Sequence, residues 1–324
     1  MKITRRTLIG TGAAYFAAAG AGVRAQSDWP SRVIKMVSPY GAGGPSDISL
    51  RMIADYLADK LKTQLIVENK PGAGTRLATE SVTRAEPDGY TFLYVAAPYA
   101  TAEALFGKLN YQRKDLQPVA QAVMAPLFLV VNADKGFKSA KDLIAYGKSK
   151  PEGLTFASPA SGSQPHLAAE LLFMNAGVKG LNVPQRGDAM AYTELLAGRV
   201  DATLTAITAG LPHIRAGKLR VLGAAAAERS PLYPDAPTLK EQGLERVIAS
   251  GWYGFMAPAG VPKPIVQRME KEIMAALNDS TIKQKLLAAG LESRPGTGAT
   301  FAKFIDEETA KWSEVIKATG LKGE

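Results

Sequence analysis

Short apolar runs alternate with stretches of helical periodicity along most of the chain. The apolar runs, which predict buried strands, lie at 33–38, 64–68, 91–96, 128–131, 154–157, 181–183, 202–206, 219–224 and 251–256. Apolar residues at helical spacing occupy the segments between them, at 46–61, 76–85, 140–148, 165–176, 189–197 and 211–216. This alternation is typical of an α/β fold in which helices cover parallel sheets.

The C-terminal part of the chain has a different pattern. Apolar residues at helical spacing fall within 265–277 and again within 301–316. We expect two or three packing helices there, with no strand between them. The many strand candidates predict two sheets, and Pro126 and the segment 230–243 are suitable crossing points between them.

Basic residues precede a small-residue apolar run at the N-terminus. Lys2, Arg5 and Arg6 come before a run rich in Ala and Gly that ends at Val23-Arg24-Ala25, a sequence suited to signal peptidase. A membrane anchor is the alternative, but the run is short and weakly apolar for a spanning helix. We expect residues 1–25 to be a cleaved signal peptide and the mature protein to be periplasmic. The paired arginines also fit a twin-arginine export signal.

Composition narrows the function classes further. Cys is absent, which excludes disulfides, thiolate metal sites and a cysteine nucleophile. Residues 1–25 carry four basic and no acidic side chains, so their removal would lower the formal net charge from +9 to +5. A mild positive balance suits an anionic ligand or a membrane surface. No cluster of Lys and Arg is interleaved with aromatic residues, so we expect no nucleic-acid partner. We also expect no cofactor and no metal, because only two histidines occur and no acidic cluster accompanies them.

The segment SPYGAGGPSD, residues 38–47, joins the first predicted strand to the first predicted helix. Its glycines would let main-chain N–H groups face a ligand, and the helix N-terminus adds unpaired donors and partial positive charge. An anion site is one interpretation, and a tight corner that needs positive φ is the other. The spacing matches no P-loop and is a weak match to a dinucleotide fingerprint. The candidate binding residues are Tyr40, Gly41, Gly43, Gly44, Ser46 and Asp47.

A second strand-to-helix turn, within FASPASGSQPHL at 156–167, shares this design. Its candidate binding residues are Ser158, Ser161, Gly162, Ser163 and His166. A catalytic pair of Ser163 and His166, as in a secreted α/β hydrolase or transferase, is the alternative function. The two residues lie three positions apart at one helix start and no G-x-S-x-G elbow is present. A structural or capping role for His166 is therefore favoured.

Two further turns add Gln185, Arg186, Gly187 and Asp188, and Ala97, Pro98 and Tyr99. Arg186 would either pair with a carboxylate or be a solvated loop residue, and Asp188 would cap the following helix. Tyr99 could supply an aromatic wall. Because open α/β sheets bind ligands at the carboxyl ends of their strands, these loops predict a cleft between two sheets. Hydrogen-bond donors are numerous in these loops, and nucleophiles, bases and metal ligands are few. This favours binding of an anion without catalysis of a reaction.

Seven segments, in order along nearly the whole mature chain, resemble the signatures of the tripartite tricarboxylate transporter substrate-binding proteins, the Bug family. They are WPSRVIKMVSPYGAGGPSDISLR at 29–51, VENKPGAGTRLATE at 67–80, PDGYTFL at 87–93, RKDLQPVA at 113–120, HLAAELLF at 166–173, IRAGKLRVLG at 214–223 and WYGFMAPAGVPKPIV at 252–266.

The resemblance implies a two-lobed periplasmic binding protein fold: α/β, with two mainly parallel sheets flanked by helices around a hinged cleft. Lobe 1 would comprise 26–126 plus 251–324, and lobe 2 would comprise 127–250. The implied function is a non-enzymatic receptor, expected to be a monomer, that takes a small carboxylate to the membrane permease subunits of such a transporter or to a sensor.

The resemblance also implies that a ligand carboxylate is held, mainly by backbone donors and water, between the first loop and the serine-glycine loop. By matching position it assigns Tyr40, Gly43, Gly44, Asp47, Ser158, Ser161, Gly162, Ser163 and His166. Three residues depart from the pattern: Gln185 stands where Tyr is usual, and Ala160 and Thr75 stand where Gly is common. The departures at Gln185 and Ala160 lie at or near the expected pocket and bear on which ligand is bound, though not on the fold.

Overall fold

The structure, a computed structural model, describes residues 29–323. The predicted signal peptide at 1–25 lies outside the described residues. The strands are β1 (Ile34–Ser38), β2 (Leu65–Asn69), β3 (Thr91–Ala96), β4 (Leu116–Asn132), β5 (Leu154–Ser158), β6 (Gly180–Pro184), β7 (Ala202–Ala206), β8 (Leu219–Ala224), β9 (Ser250–Pro258) and β10 (Glu292–Thr297). The α-helices are α1 (Pro45–Leu61), α2 (Arg76–Thr83), α3 (Pro98–Phe106), α4 (Ala140–Ser149), α5 (Gln164–Ala176), α6 (Asp188–Leu196), α7 (Leu211–Arg215), α8 (Lys263–Asn278), α9 (Ser280–Ala288) and α10 (Gly298–Thr319).

The strands form two sheets that share β4. In the first sheet, β1 pairs in parallel with β2 and β3, and β9 and β10 run antiparallel to their neighbours. In the second sheet, β5 pairs in parallel with β6 and β7, and β7 and β8 both run antiparallel to β4. The parallel pairs therefore lie toward the outside of the molecule, and the antiparallel pairs connect its two halves.

Strand β4 passes from one sheet to the other. Its residues 116–126 pair with β9, and its residues 127–132 pair with β7 and β8. The β4–β9 ladder runs from Leu116 opposite Pro258 to Pro126 opposite Ser250, with two register shifts. The chain thus enters the second sheet along β4 and returns along β9. The division into lobes 26–126 plus 251–324 and 127–250 stays a prediction.

Successive side chains of β4 point to opposite faces of the second sheet, and both faces are buried there. Leu129 packs in a core with α5 and α10, and Phe128 packs in a separate core with α6. The first sheet is likewise covered on both faces, by α1 and α8 around Phe92 and by α2, α3 and α10 around Leu93. The apolar runs of β3 and β7 are continuous because helices cover both of their faces, and nearly all of their residues are buried.

Helix α10 is attached to the crossing strands by a buried carboxylate. Glu308, which is 6% exposed, accepts hydrogen bonds from Nε1 of Trp252 at 3.3 Å and Nε1 of Trp312 at 2.8 Å. Lys311 pairs with the same carboxylate and donates to the carbonyl of Ile248 at 3.0 Å. Because Ile248 and Trp252 flank the start of β9, this cluster fixes the C-terminal helix against β9.

The pattern of apolar runs located most strands, but it was wrong in the C-terminal part. β10 lies between α9 and α10 and pairs antiparallel with β4, where no strand was expected. Its sequence, ESRPGT, has no apolar alternation, and Pro295 is tolerated there because β10 is an irregular edge strand. The first half of β4 and the helix α3 were also missed; Pro98 starts α3, a position that proline accepts.

Helices of the described range include none with both the length and the apolar character needed to cross a bilayer.

Substitution of Gly254 on β9 tests the contact between the ladder and α10. A Cβ at this position would lie 2.4 Å from Cζ of Phe301 and 2.8 Å from the carbonyl oxygen of Ala120. We expect Gly254→Ala to lower the free energy of unfolding by about 1–3 kcal/mol, because neither neighbour can withdraw without disturbing the core. Gly41→Ala is the matched control, since no atom lies within 4 Å of its added Cβ. Equal urea midpoints for the two variants would contradict this packing.

Candidate functional site

A cavity of about 490 Å³ lies where the two sheets meet. The crossing strands contribute Ala125 and Leu127 from β4 and Trp252 and Tyr253 from β9. The loops that follow β1, β3 and β5, the start of α6 and the end of β7 complete the lining. The lining is mainly apolar, so any ligand would meet aliphatic and aromatic surface together with a few polar groups.

The loop between β1 and α1 is fixed from behind by Asp47. The Asp47 carboxylate is 3% exposed and accepts from the backbone N–H of Gly43 at 3.0 Å and from Nε of Arg51 at 2.9 Å. Asn69, at the end of β2, donates to Asp47 at 2.9 Å and to the carbonyl of Tyr40 at 2.9 Å. The N–H of Gly43 is therefore used inside the loop, and Gly43 takes the φ of 83° that this turn requires. Asn69 was missed by the sequence analysis because it is adjacent only across the β1–β2 pair.

The electrostatics of this loop follow from these contacts. The hydrogen bond from Arg51 is the main reason why the pKa of Asp47 falls from 3.8 to about 2; the N–H of Gly43 and the amide of Asn69 add to it, and burial opposes it. Asp47 therefore holds the loop as a carboxylate at neutral pH.

The N-terminus of α1 has unpaired amides and lies beside the cavity. No side chain caps this helix, and among the described residues the N–H groups of Ser46 and Asp47 have no hydrogen-bond acceptor. Gly44 and Ser46 line the cavity. The hydroxyl of Ser46 lies 3.3 Å from that of Ser38. Unpaired first-turn amides carry partial positive charge, so this corner is suited to a negative group.

The loop between β5 and α5 is held by a similar device. Ser163 caps α5: its Oγ donates to the carbonyl of Ala160 at 2.7 Å and accepts from the N–H of His166 at 3.4 Å. Nδ1 of His166 accepts the N–H of Gly162 at 2.9 Å, while Nε2 lies 3.4 Å from Oε1 of Glu170. Both imidazole nitrogens are thus engaged, and the hydroxyl of Ser163 points to a carbonyl. These residues are arranged as a cap, not as a nucleophile and its base.

The two loops, whose shared strand-to-helix design the sequence analysis noted, also repeat a hydrogen bond that it did not predict. In each, the serine of a Ser-Pro pair ends the strand and the proline begins the loop. The third residue of the following helix accepts the N–H of a glycine four positions earlier. Asp47 does this for Gly43, and His166 does it for Gly162. The acceptors differ chemically and the first loop is one residue longer, which hides the repeat in the sequence.

The start of α6 brings a carboxylate to the cavity. Asp188 is the first residue of α6 and not its cap, which is Gly187 with a φ of 103°. Thr205 on β7 donates its hydroxyl hydrogen to Oδ1 of Asp188, and both residues line the cavity. Burial raises the pKa of Asp188, and the bond from Thr205 opposes that change. Arg186 is exposed and does not line the cavity.

Aromatic side chains close one side of the site. Tyr253 stacks on Tyr94 with ring centroids 5.5 Å apart and meets Tyr40 edge-on at 6.4 Å. Burial raises the pKa of Tyr40 to about 12 and that of Tyr253 well above its ordinary value, so both hydroxyls keep their protons at neutral pH. Tyr99, expected as an aromatic wall, packs instead in the core against Tyr111.

Some of the predicted site residues line the cavity, and others do not. Those that line it are Tyr40, Gly41, Gly44, Ser46, Ala97, Pro98, Ser163 and Asp188. Those outside its lining are Gly43, Asp47, Tyr99, Ser158, Ser161, Gly162, His166, Gln185, Arg186 and Gly187. Lining residues that the sequence analysis did not name include Ala42, Leu127, Thr205, Trp252 and Tyr253. Two of these had a sequence signal: Ala42 lies within the first candidate loop, and Trp252 lies where the chain was expected to return between lobes.

The arrangement offers donors and apolar walls. The described lining contains no lysine, arginine or histidine. Across residues 29–323, no group of three or more His, Cys, Asp or Glu side chains is placed to hold a metal ion. The site can therefore surround a small molecule and meet one negative group with backbone amides.

Comparison with known proteins gives consistent matches. A family model described as tripartite tricarboxylate transporter family receptor matches residues 49–321. Protein BugT of Bordetella pertussis is 34% identical over 312 residues, which are 95% of this chain and 96% of that protein.

Two solved structures show the same fold. MatC from Rhodopseudomonas palustris, solved with bound malate, has a TM-score of 0.72 and 32% identity over 89% of this chain and 100% of that one. R. palustris Rpa4515, solved with adipate, has a TM-score of 0.77 and 30% identity over 91% of this chain and 99% of that one.

The Asp47 anchor predicts a pH-dependent difference in stability. We expect Asp47→Asn to lower the free energy of unfolding at neutral pH by about 1–3 kcal/mol, because the bonds to Arg51 and Gly43 are weakened in a buried place. The folded pKa of Asp47 is depressed, so its contribution is complete above 3.8 and is lost as the pH falls toward about 2. Urea unfolding should therefore show the gap between the two proteins narrowing over that acidic range.

Asp59→Asn on the same helix is the matched control. Asp59 pairs with Lys62 on the surface, and its side chain is 69% exposed. We therefore expect Asp59→Asn to change the free energy of unfolding only slightly, and added salt to reduce that change further. A gap between wild type and Asp47→Asn that stays constant with pH would contradict the role given to the carboxylate.

Proposed function

The chain belongs to the tripartite tricarboxylate transporter receptor family, and from that premise we propose that it is a periplasmic solute-binding protein that captures a small mono- or dicarboxylate. The uncapped N-terminus of α1 at the cavity where the two sheets meet is the observation that carries this proposal. One ligand carboxylate would accept hydrogen bonds from the N–H groups of Ser46 and Asp47. Gly44 has no side chain to obstruct its approach. In a low-dielectric site, such charge-assisted bonds are stronger than in water.

The relatives support the class of ligand. MatC was solved with malate and Rpa4515 with adipate, and both align with nearly the whole described chain. Malate and adipate are both dicarboxylic acids, and a carboxylate is the group that the α1 corner of this chain is suited to bind.

Delivery would go to a membrane component. We expect the ligand to favour closure of the two lobes about the β4–β9 crossing, and closure is favoured only by as much as the ligand binds the closed form better. The closed monomer would then be recognised by the permease subunits of a tripartite tricarboxylate-type transporter, or by a sensor that uses the same surface. Export would follow from a signal peptide at residues 1–25, of the general or the twin-arginine type.

A screen of acids by thermal shift tests the ligand class. Mono-, di- and tricarboxylates, neutral sugars and cationic amines would be added separately to the mature protein. A carboxylate at 100 times its dissociation constant should add about 2.7 kcal/mol to the stability of the folded state and raise the melting temperature accordingly. Stabilisation by sugars or amines, with none by any acid, would end the carboxylate proposal.

A charge placed at the mouth of the α1 corner tests the binding mode. Ala42 is exposed and lines the cavity beside Gly41 and Gly44. We expect Ala42→Asp to weaken carboxylate binding at least about tenfold, because it offsets the positive end of the helix. Ala42→Asn has nearly the same shape without the charge and should bind within about threefold of wild type. Equal weakening of both variants in calorimetric titrations would show that shape, not charge, is responsible.

A further inference from the structure

Asp188 is an acid without a cationic partner in the cavity. It is the only Asp or Glu among the described lining residues, and no lysine, arginine or histidine lines the cavity with it. The cause of its raised pKa is burial, and no positive side chain appears among the influences on it. A partly buried carboxylate in this position is costly unless something else supplies hydrogen-bond donors.

Thr205 uses its hydroxyl hydrogen on Asp188, so that hydrogen is not available to a ligand. Its hydroxyl hydrogen goes to Oδ1 of Asp188, and Thr205 is fully buried. A carboxylate has about four acceptor sites on its two oxygens, so Asp188 keeps acceptor capacity on the cavity side. Asp188 therefore presents an acceptor in the part of the cavity formed by the second sheet, where Gln164 also contributes a buried Nε2 that has no partner among the described residues. The α1 corner, in contrast, presents donors.

The remaining lining restricts the body of a ligand. Ala97, Pro98 and Leu127 contribute aliphatic surface, and Trp252 and Tyr253 contribute aromatic surface. A ligand that reaches from the α1 corner to Asp188 would bury its middle against these side chains. A second carboxylate at the far end would approach Asp188 as a like charge, with no lining cation to offset it.

Given the proposed function, in which one carboxylate of the ligand meets the amides of α1, we propose that Asp188 makes this receptor selective for monocarboxylates that carry a hydrogen-bond donor on an apolar body. The donor is a hydroxyl or an ammonium group, and Asp188 accepts it. Thr205 orients Asp188 for that contact. Dicarboxylates of the same length are disfavoured because their second charge meets Asp188.

Matched acids that differ at one end test this proposal. The first series is pentanoate, 5-hydroxypentanoate, 5-aminopentanoate and glutarate, with the equivalent shorter and longer chains. The second series is benzoate, 4-hydroxybenzoate, 4-(aminomethyl)benzoate and terephthalate. Calorimetric titration of the mature protein would give a dissociation constant for each. Within a series, we expect the hydroxyl or ammonium acid to bind at least about tenfold tighter than the diacid. The plain acid should lie between them, and comparing the hydroxyl acid with the ammonium acid identifies the donor.

Two variants connect the ranking to Asp188. Asp188→Asn removes the charge and adds a donor, so the advantage over the diacid should shrink at least about tenfold or reverse. Thr205→Val keeps the shape but releases Asp188, and the same advantage should fall by a smaller factor. Asp134→Asn is the matched control, because Asp134 is an exposed carboxylate in the same half of the chain; its ranking should equal that of wild type.

Each outcome has a distinct meaning. Binding of any acid in either series upholds the proposed function, and the ranking then decides the inference. A diacid that binds wild type as tightly as its donor-bearing partner overturns the selectivity, even if Asp188→Asn fails to fold. An unchanged ranking in a folded Asp188→Asn protein overturns the role of Asp188. If no acid in either series binds, the proposed function and the inference both fail.

Discussion

The antiparallel ladder between β4 and β9 is the constraint on which the rest of the structure depends. It continues from Leu116 to Pro126 on β4, and beyond Pro126 the same strand joins the second sheet. The two sheets are therefore joined by continuous hydrogen-bonded backbone and not by loose linkers. The cavity lies at this crossing, so Leu127 and Trp252 belong both to the connection and to the site. In the proposed closure about this crossing, the backbone that bends is also backbone that lines the cavity.

The polar groups that hold the loops of the site in place differ from those that remain available to bind a ligand. Asp47 and His166 each use an acceptor to hold a glycine N–H of the preceding loop. Those amides are thereby removed from ligand binding, although glycine N–H groups were the donors that the sequence suggested. The first-turn amides of α1 are left without acceptors. A rigid loop with unpaired donors loses little entropy when an anion arrives, which is a requirement for tight capture of a small molecule.

The sequence allowed prediction of features that depend on local patterning. β3, β7 and β8 have the predicted bounds, and nearly all residues of β3 and β7 are buried. The two loops were also found, since glycine, proline and serine cluster where a strand turns into a helix. The missed features depend on distant partners: β10 is a strand only because β4 lies beside it, Asn69 reaches Asp47 from a neighbouring strand, and Thr205 meets Asp188 across 17 residues. No local signal marks such contacts.

The cluster around Glu308 has a practical consequence. The chain has three tryptophans, and two of them, Trp252 and Trp312, donate to this one carboxylate. Trp252 also faces the cavity. Indole emission responds to nearby charge and to exclusion of water, so occupancy of the cleft should alter the intrinsic fluorescence of the native protein. The receptor thus contains its own optical reporter at the hinge, and ligand binding can be followed without a dye or an engineered label.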